Sequence, residues 1–221
     1  VFNGSPLFSG DAGRGYSNIR KWIIENDWLE AIVALPEQIF FNTGISTYFW
    51  IVTNKKSSER MGKVQLIDGS SHFKSMKKSL GSKRKEIQDE QREELIQSYL
   101  DFEESDISKI YSNEFFGYIK VVIEQPLLDD DGEIVTDKKG NPKPNTKKRD
   151  YERVPLEENI DDYYEREVKP HLPNSWMDRN KDKVGYEINF TKYFYKYKPI
   201  RSLEDITQDL IELDEQIGGK M

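Results

Sequence analysis

The sequence contains no cysteine and only two histidines, His72 and His171. The absence of cysteine excludes disulfides, thiolate zinc sites and cysteine nucleophiles, and two histidines are too few for a histidine-rich metal centre. Long apolar runs are missing as well, which excludes a transmembrane helix and argues against a membrane partner. We therefore predict no metal site and expect any chemistry to use other groups.

Charge of one sign does not dominate the chain. The 221 residues carry 33 Lys and Arg against 40 Asp and Glu, a net charge of -7. No basic field can cover the whole surface, so any contact with nucleic acid must be local. The start Val1-Phe2-Asn3 has no initiator Met and no signal or transit pattern, which we interpret as a start inside a longer protein. Without cysteine or an export signal, we expect a cytoplasmic location.

Residues 1–70 show the helix and strand patterns of an α/β domain. Ser17 is a candidate N-cap for a helix over residues 18–26. The apolar spacing in that helix predicts a buried face made of Ile19, Trp22 and Ile23. Runs of apolar and β-branched residues predict strands at 29–35, 46–53 and 63–68.

A basic segment follows at residues 70–85 and contains no acidic residue. Its cations are Lys74, Lys77, Lys78, Lys83, Arg84 and Lys85. The Ser and Gly content favours a mobile, solvated loop, and contact with DNA phosphates is the alternative. Beyond it, a helix is predicted over residues 88–102, with Ile96, Tyr99 and Leu100 on its buried side, and a strand over 116–125.

The middle of the chain is rich in turn residues and charge. From residue 127 to 154 we predict a hairpin around Glu133-Ile134-Val135 followed by a flexible arm. The contiguous acids that start it lack the alternating pattern of a calcium loop. A helix is predicted over 158–168, and residues 184–197 have a strand-like pattern rich in aromatics, for which packing is favoured over a base-stacking platform.

The C-terminal segment has the most regular apolar period. Its seam consists of Leu203, Ile206, Leu210, Leu213 and Ile217, at alternating spacings of three and four residues. Ser202 is a candidate N-cap and Gly218-Gly219 a candidate end of this helix. A helix of about 16 residues is marginal alone in water. It must therefore pack on its own domain or on a partner, and both alternatives remain open.

Glycines at positions 10, 13 and 15 precede the first predicted long helix, as they would in a phosphate-binding loop. Their spacing does not match the dinucleotide fingerprint, and no Walker lysine follows. We therefore favour a flexible connection over a phosphate site.

Six runs near the two ends of the chain carry a more specific pattern. They are NGSPLF at 3–8, IRKWIIENDWLEA at 19–31, LPEQIFFNTGIST at 35–47, YFWIV at 48–52, GKVQLID at 62–68 and VGYEINFTKYFY at 184–195. Together they closely resemble the C-terminal part of the modification (M) subunit of type I restriction-modification systems, an adenine-specific DNA methyltransferase. Residues 70–183 match more loosely.

The resemblance implies a fold and a division of the chain. The fold would be α/β, the later half of a doubly wound S-adenosylmethionine-dependent methyltransferase sheet, followed by a mixed C-terminal region that ends in a helix. Four segments are expected: the end of the methyltransferase domain (1–70), a loop, helix and strand that continue it (71–126), a charged hairpin, arm and helix (127–183), and an aromatic strand with a subunit-contact helix (184–221).

The resemblance also implies what this chain lacks. The glycine-rich S-adenosylmethionine motif and the Asn-Pro-Pro-aromatic catalytic motif of the family are expected upstream of Val1, and Asn141-Pro142-Lys143-Pro144 does not replace the latter. We assign no catalytic residue here and expect the chain alone to be inactive.

By the same resemblance, an aromatic residue of this chain would stack on the flipped adenine. Phe40 fits that role, Phe41 is the other candidate, and we expect at least one of the two to be core. Asn42, Thr43, Asn3 and Phe8 are further candidates for the mouth of the pocket.

The partners implied are double-stranded DNA, the specificity (S) subunit, which would contact the C-terminal helix, and the restriction (R) subunit in the full complex. A non-enzymatic assembly or DNA-binding module is the alternative function.

Overall fold

The computed structural model describes residues 1–197 and 202–218. Its strands are β1 (Phe2–Asn3), β2 (Leu29–Leu35), β3 (Thr47–Val52), β4 (Lys63–Asp68), β5 (Lys74–Leu80), β6 (Lys83–Glu86), β7 (Ser108–Ser112), β8 (Gly117–Glu124), β9 (Asp150–Pro155), β10 (Trp176–Met177) and β11 (Lys183–Tyr186). Its helices are α1 (Ser5–Phe8), α2 (Gly15–Glu25), α3 (Asp89–Asp101), α4 (Ile160–Tyr163, continued by a π-helical turn at Tyr164–Val168), α5 (Phe190–Phe194) and α6 (Leu203–Gly218).

The strands form two sheets and a separate hairpin. The first sheet has the order β1-β3-β2-β4-β7, in which β2 and β4 are parallel and the other pairs antiparallel. In the second sheet, β8 pairs with β9, β10 and β11, all antiparallel. This second sheet draws its strands from three of the four segments expected from the sequence. The mixed sheets and helices confirm the α/β class.

The first sheet is covered on both faces because successive side chains of a strand point in opposite directions. Ile32 and Ala34 of β2 pack with Ile24 of α2 in the main core. Val33, between them, packs with Leu95 of α3 on the other face. A smaller core joins the second sheet to α4 and the turn that continues it.

Most predicted strands are confirmed. β2 and β4 have the predicted bounds, and β3 and β8 lie within the predicted 46–53 and 116–125. The strand-like pattern at 184–197 is only partly correct, because the chain leaves the sheet after Tyr186 and forms α5. Packing was the right interpretation for Tyr186 and Phe190, which are buried.

The predicted buried face of α2 is wrong in part, although Ile23 is partly buried and packs against the main core. Ile19 and Trp22 are more than half exposed, and the buried face consists of Ser17, Arg20 and Ile24. Ser17 lies inside the helix, whose N-cap is Arg14. The cause is Arg20, which lies on the buried face and donates hydrogen bonds there.

Arg20 fastens two segments, residues 6–10 and β11, to α2. Its Nε donates to the carbonyl of Tyr186 at 2.6 Å, and its Nη1 donates to those of Pro6 and Ser9, each at 2.8 Å. The residue is 2 % exposed. The carbonyl of Gly10, the first glycine of the loop, also accepts from Arg20, through Nη2 at 3.5 Å.

The predicted face of α3 is also wrong in part. Leu95 is its buried residue, and Tyr99 contacts the same cluster, whereas Ile96 and Leu100 are at least half exposed. A capping box begins the helix, in which the side chain of Gln91 accepts from the backbone N–H of Gln88 at 3.1 Å.

Two segments expected to be loops are ordered. The basic segment 70–85 was predicted as a mobile loop and instead contains the antiparallel hairpin β5–β6. The hairpin around Glu133-Ile134-Val135 is confirmed by a bridge between Leu128 and Ile134. The arm predicted after it ends in β9, which pairs along β8 over six residue pairs.

No helix among residues 1–197 and 202–218 combines the length and apolarity needed to span a bilayer.

Candidate nucleic-acid interface

Five strand ends meet at one edge of the first sheet. The parallel strands β2 and β4 both end there, at Leu35 and Asp68. The antiparallel neighbours bring the start of β3 at Thr47, the end of β1 at Asn3 and the start of β7 at Ser108 to the same edge. The carboxyl ends of strands in open α/β sheets are where ligands bind.

Two adjoining clefts open at this edge and share Tyr48, Phe190 and Thr191. The larger has a volume of about 800 Å³ and reaches from Leu35 and Asp68 to α5. The smaller, about 450 Å³, includes Leu7 and Phe8 of α1. Tyr48 packs edge-on against Phe190 with ring centroids 5.2 Å apart, and its burial raises the pKa of its hydroxyl, which hydrogen-bonds Thr191.

The carboxylates of the larger cleft have local partners. Glu37 accepts a hydrogen bond from the Ser46 hydroxyl at 3.1 Å, and Asp68 accepts one from the backbone N–H of Ser70 at 3.0 Å. Asp106 pairs with Lys196 at 2.9 Å, and this contact lowers the pKa of Asp106. These groups order the rim of the cleft, and their geometry does not assign an acid–base pair.

The loop at residues 36–46, between β2 and β3, carries the two adjacent phenylalanines. Phe40 and Thr43 form a backbone bridge across its tip. Phe40 is 38 % exposed and Phe41 57 % exposed. Neither ring is buried, so the expectation that at least one of them is core is wrong.

This loop is docked on the β5–β6 hairpin. The carbonyl of Phe41 accepts from the N–H of Ser82 at 3.0 Å, and the carbonyl of Gln38 accepts from the N–H groups of Arg84 and Lys85 at 2.9 and 3.2 Å. The Nζ of Lys83 lies 5.3 Å from the Phe41 ring centroid. We call residues 36–46 and 74–86 together the loop–hairpin surface.

Gly81 is needed at the turn of the hairpin. Its φ of +61° favours glycine, and a Cβ there would lie 2.9 Å from the carbonyl oxygen of Phe41. The turn and the phenylalanine loop are therefore fitted to each other through backbone atoms.

The structure brings the two predicted DNA-contact sets together on the loop–hairpin surface. Within the described residues, none of its six cations (Lys74, Lys77, Lys78, Lys83, Arg84 and Lys85) forms an ion pair with a carboxylate. Lys85 does stack on the Phe73 ring, 3.7 Å from its centroid. Four of the six cations are exposed, and Lys83 and Lys85, which contact the aromatic rings, are partly buried. Cations interleaved with aromatic rings are suited to bind a polyanion that carries bases.

Of the remaining pocket candidates, Asn42 and Thr43 belong to this surface, whereas Asn3 and Phe8 lie outside it. Asn42 is exposed at the loop tip, and the Thr43 hydroxyl accepts from the N–H of Ile45 at 3.4 Å. Asn3 pairs with Thr47 in the sheet, and its side chain accepts from the N–H of Ser5. Phe8 lies in the smaller cleft.

The predicted seam is exposed on α6. Of its five residues, Leu203, Leu210, Leu213 and Ile217 are more than half exposed, and Ile206 is 40 % exposed. The Ser202 hydroxyl accepts from the N–H of Asp205 at 3.0 Å, which confirms the predicted N-cap. Gly218 is the last helical residue, and Gly219 lies outside the described residues.

The glycine loop at residues 10–15 does not have the strand-to-helix setting of a dinucleotide-binding loop. The glycine loop follows α1 instead of a strand, and Arg20 binds its carbonyls. In the described parts of the chain, no group of three or more His, Asp or Glu residues converges as a metal site.

This chain is similar to DNA methylases of known family. The family model described as N-6 DNA Methylase matches residues 1–138. The MjaVIII methylase subunit of a type I restriction enzyme from Methanocaldococcus jannaschii is 27% identical over 141 residues, which are 61% of this chain and 24% of that protein. The MjaVII methylase subunit of the same organism is 37% identical over 73 residues, 33% of this chain and 12% of that protein.

A solved structure is also similar. It is the type I restriction-modification methyltransferase subunit from Streptococcus thermophilus, with 25% identity, a TM-score of 0.44, and coverage of 52% of this chain and 22% of that one. The chain spans about a quarter or less of the length of these relatives.

Proposed function

Because this chain belongs to the N-6 DNA methylase family, we propose that it is the C-terminal part of a type I modification subunit. The whole protein would transfer a methyl group from S-adenosylmethionine to the N6 amine of adenine in double-stranded DNA. It would do so in the cytoplasm, in complex with a specificity subunit, and the full complex would add a restriction subunit. The names of the M. jannaschii relatives support this assignment.

In this proposal the present chain contributes the DNA-facing side of the enzyme. The observation that carries this role is the docking of the Phe40–Phe41 loop on a hairpin with six cations. The cations would neutralise phosphates near the target adenine, and a phenylalanine ring would stack on the extruded base. S-adenosylmethionine would supply the methyl group when bound, and the family's main motif for binding it is absent from this sequence.

The proposal is tested with the whole protein and its specificity subunit, by incubating labelled S-adenosylmethionine with target DNA. We expect label in DNA, recovered after hydrolysis as N6-methyladenine. No transfer by a correctly assembled complex would instead support a non-enzymatic assembly or DNA-binding module.

Neutralising the hairpin should weaken DNA binding in a salt-dependent way. For Lys77→Gln/Lys78→Gln/Arg84→Gln, we expect the slope of log K against log[salt] to become shallower by about 0.9 for each phosphate that is no longer neutralised. The measurement is DNA affinity of the assembled complex between low and moderate salt.

The matched control for the hairpin is Lys21→Gln/Lys55→Gln, which neutralises cations on α2 and beyond the end of β3, away from the edge where the clefts open. This control should leave the slope unchanged. Equal slopes for the hairpin variant, the control and the wild type would contradict a phosphate-binding role for the hairpin.

Placing a charge in the α6 seam should prevent assembly with the specificity subunit. In Leu210→Asp, a carboxylate would replace an exposed apolar side chain at the expected contact, and the loss of binding free energy should exceed about 2 kcal/mol, or roughly 30-fold in affinity. Co-purification and titration of the two subunits measure this.

Gln208→Ala, on the same helix, is the control and should assemble normally. If Leu210→Asp assembles normally, the α6 seam does not contact the specificity subunit.

A further inference from the structure

Residues 125–149 form an element with an internal repeat of eight residues. Asp129, Asp137 and Asn145 begin the three repeats. In each repeat the N–H three residues later donates to the carbonyl of the first residue: Gly132 to Asp129, Gly140 to Asp137 and Lys148 to Asn145, at 3.2, 3.1 and 2.9 Å. We call this the three-lobed element, with tips at 129–133, 137–141 and 145–149.

A closed ring of backbone hydrogen bonds joins the three lobes. The N–H of Leu127 donates to the carbonyl of Lys143. The N–H of Lys143 donates to the carbonyl of Val135, and the N–H of Val135 donates to the carbonyl of Leu127. Each of the three bonds is 2.8 Å long. The three residues are eight positions apart, so the element has approximate threefold symmetry. The ring gives residues 125–149 an ordered backbone, whereas their composition predicts a flexible arm.

The tips are fixed by side chains. Asp137 Oδ1 accepts from the N–H groups of Lys139 and Asn141 at 2.7 and 2.9 Å, and these bonds lower the pKa of Asp137. Asp129 accepts equivalently from residues 131 and 133. Asn145 Oδ1 accepts from the N–H of Lys147 at 3.1 Å. The backbone that carries the tip lysines is therefore already ordered before any ligand binds.

The element is also anchored to the second sheet. Arg149 donates to Glu124 at 2.9 Å through Nε, and Lys181 donates to the same carboxylate at 3.1 Å. Glu124 is 2 % exposed at the end of β8. A bridge between Pro126 and Pro144 closes the base.

Charge is divided between the lobes. The first tip carries the acids Asp129, Asp130, Asp131 and Glu133. The other two lobes carry five exposed lysines: Lys138, Lys139, Lys143, Lys147 and Lys148. In the part of the chain that the structure describes, none of these five forms an ion pair.

We propose that the second and third lobes bind the phosphate backbone of double-stranded DNA, as a contact additional to the loop–hairpin surface. The two basic tips contain no apolar side chain, whereas the centre of a protein–protein interface is apolar. Clustered lysines on an ordered backbone instead fit a polyanion that is read by charge alone. The assignment of DNA as this polyanion rests on the proposed function.

The test compares DNA binding by the assembled complex of the whole protein and specificity subunit. Its probe is a duplex of about 40 base pairs without a target site. For Lys138→Gln/Lys139→Gln/Lys147→Gln/Lys148→Gln, the slope of log K against log[salt] should become shallower by about 3 to 4, since each phosphate contact contributes about 0.9. The four corresponding Lys→Arg changes should keep the wild-type slope.

The matched control is Asp130→Asn/Asp131→Asn, which alters charge at the first tip of the same element and should not make the slope shallower. An unchanged slope for the lysine variant, in a wild-type complex that methylates DNA, overturns the proposal while the proposed function stands. Unchanged DNA binding with loss of the specificity subunit also overturns it, because the lobes would then bind protein. A wild-type complex that binds this duplex but does not methylate a second duplex that carries the target site indicates failure of the proposed function alone.

Discussion

Replacing Phe40 with alanine should lower methyl transfer by roughly 5- to 150-fold at saturating DNA. The reason is that stacking of a base on an aromatic ring contributes about 1 to 3 kcal/mol, and the proposed role of Phe40 is to hold the extruded adenine. The measurement is the single-turnover rate of the whole protein with its specificity subunit, with assembly checked for each variant.

Phe41→Ala should behave differently from Phe40→Ala. The Phe41 ring lies beside the ammonium of Lys83, so its removal should weaken DNA affinity more than the rate at saturation. Trp22→Ala is a matched control, because Trp22 is also 57 % exposed but lies on α2, which precedes the opposite end of β2. Transfer that survives both phenylalanine changes would show that the pair has no part in holding the base.

Arg20→Met should strongly destabilise the region around the smaller cleft. The substitution leaves the carbonyls of Tyr186, Pro6 and Ser9 without their donor, and an unsatisfied buried polar group costs about 1 to 3 kcal/mol. We expect the free energy of unfolding to fall by about 3 kcal/mol or more. Amide hydrogen exchange at Ile188, whose N–H donates to the carbonyl of Leu7, should then be at least about 100-fold faster in the whole protein.

Arg14→Met is the control for this change, because Arg14 is exposed at the N-cap of the same helix. Arg20→Lys should give an intermediate loss of stability, since a lysine cannot reproduce the planar fork of donors. Wild-type exchange at Ile188 in Arg20→Met would contradict the role assigned to the guanidinium.

The strands of the first sheet could be predicted from the sequence because their signal is local. β2 is an almost wholly apolar run, and burial on both faces favours that composition. β4 carries Val64, Leu66 and Ile67 after a polar turn. β7 could not be predicted in this way, since Ser108–Ser112 is polar and joins the sheet through its pairing with β4.

The helix faces could not be predicted from apolar spacing alone. In α2 the buried position of Arg20 depends on carbonyls from residues up to 166 positions away in the chain. Trp22 is left exposed and packs edge-on against Trp28, with ring centroids 4.6 Å apart. A buried cation with distant acceptors reverses the helix face that hydropathy predicts.

The candidate site could be predicted only in parts. The base-stacking role of the Phe40–Phe41 loop was inferred from a family resemblance, and the phosphate-binding role of the cations from the composition of residues 70–85. The contact between them was not predictable, because β5 and β6 lack apolar alternation and the loop docks through backbone atoms of Gln38 and Phe41. The eight-residue repeat within residues 125–149 is visible in the sequence once Asp129, Asp137 and Asn145 are aligned.

The most direct test of the DNA-facing role is photo-crosslinking of the assembled complex to target DNA. A benzoylphenylalanine at position 41, compared with one at position 22, places the same probe at two equally exposed sites. The account predicts crosslinks to DNA near the target adenine from position 41 and none from position 22. Absence of crosslinks from position 41 in a complex that binds and methylates the DNA would contradict it.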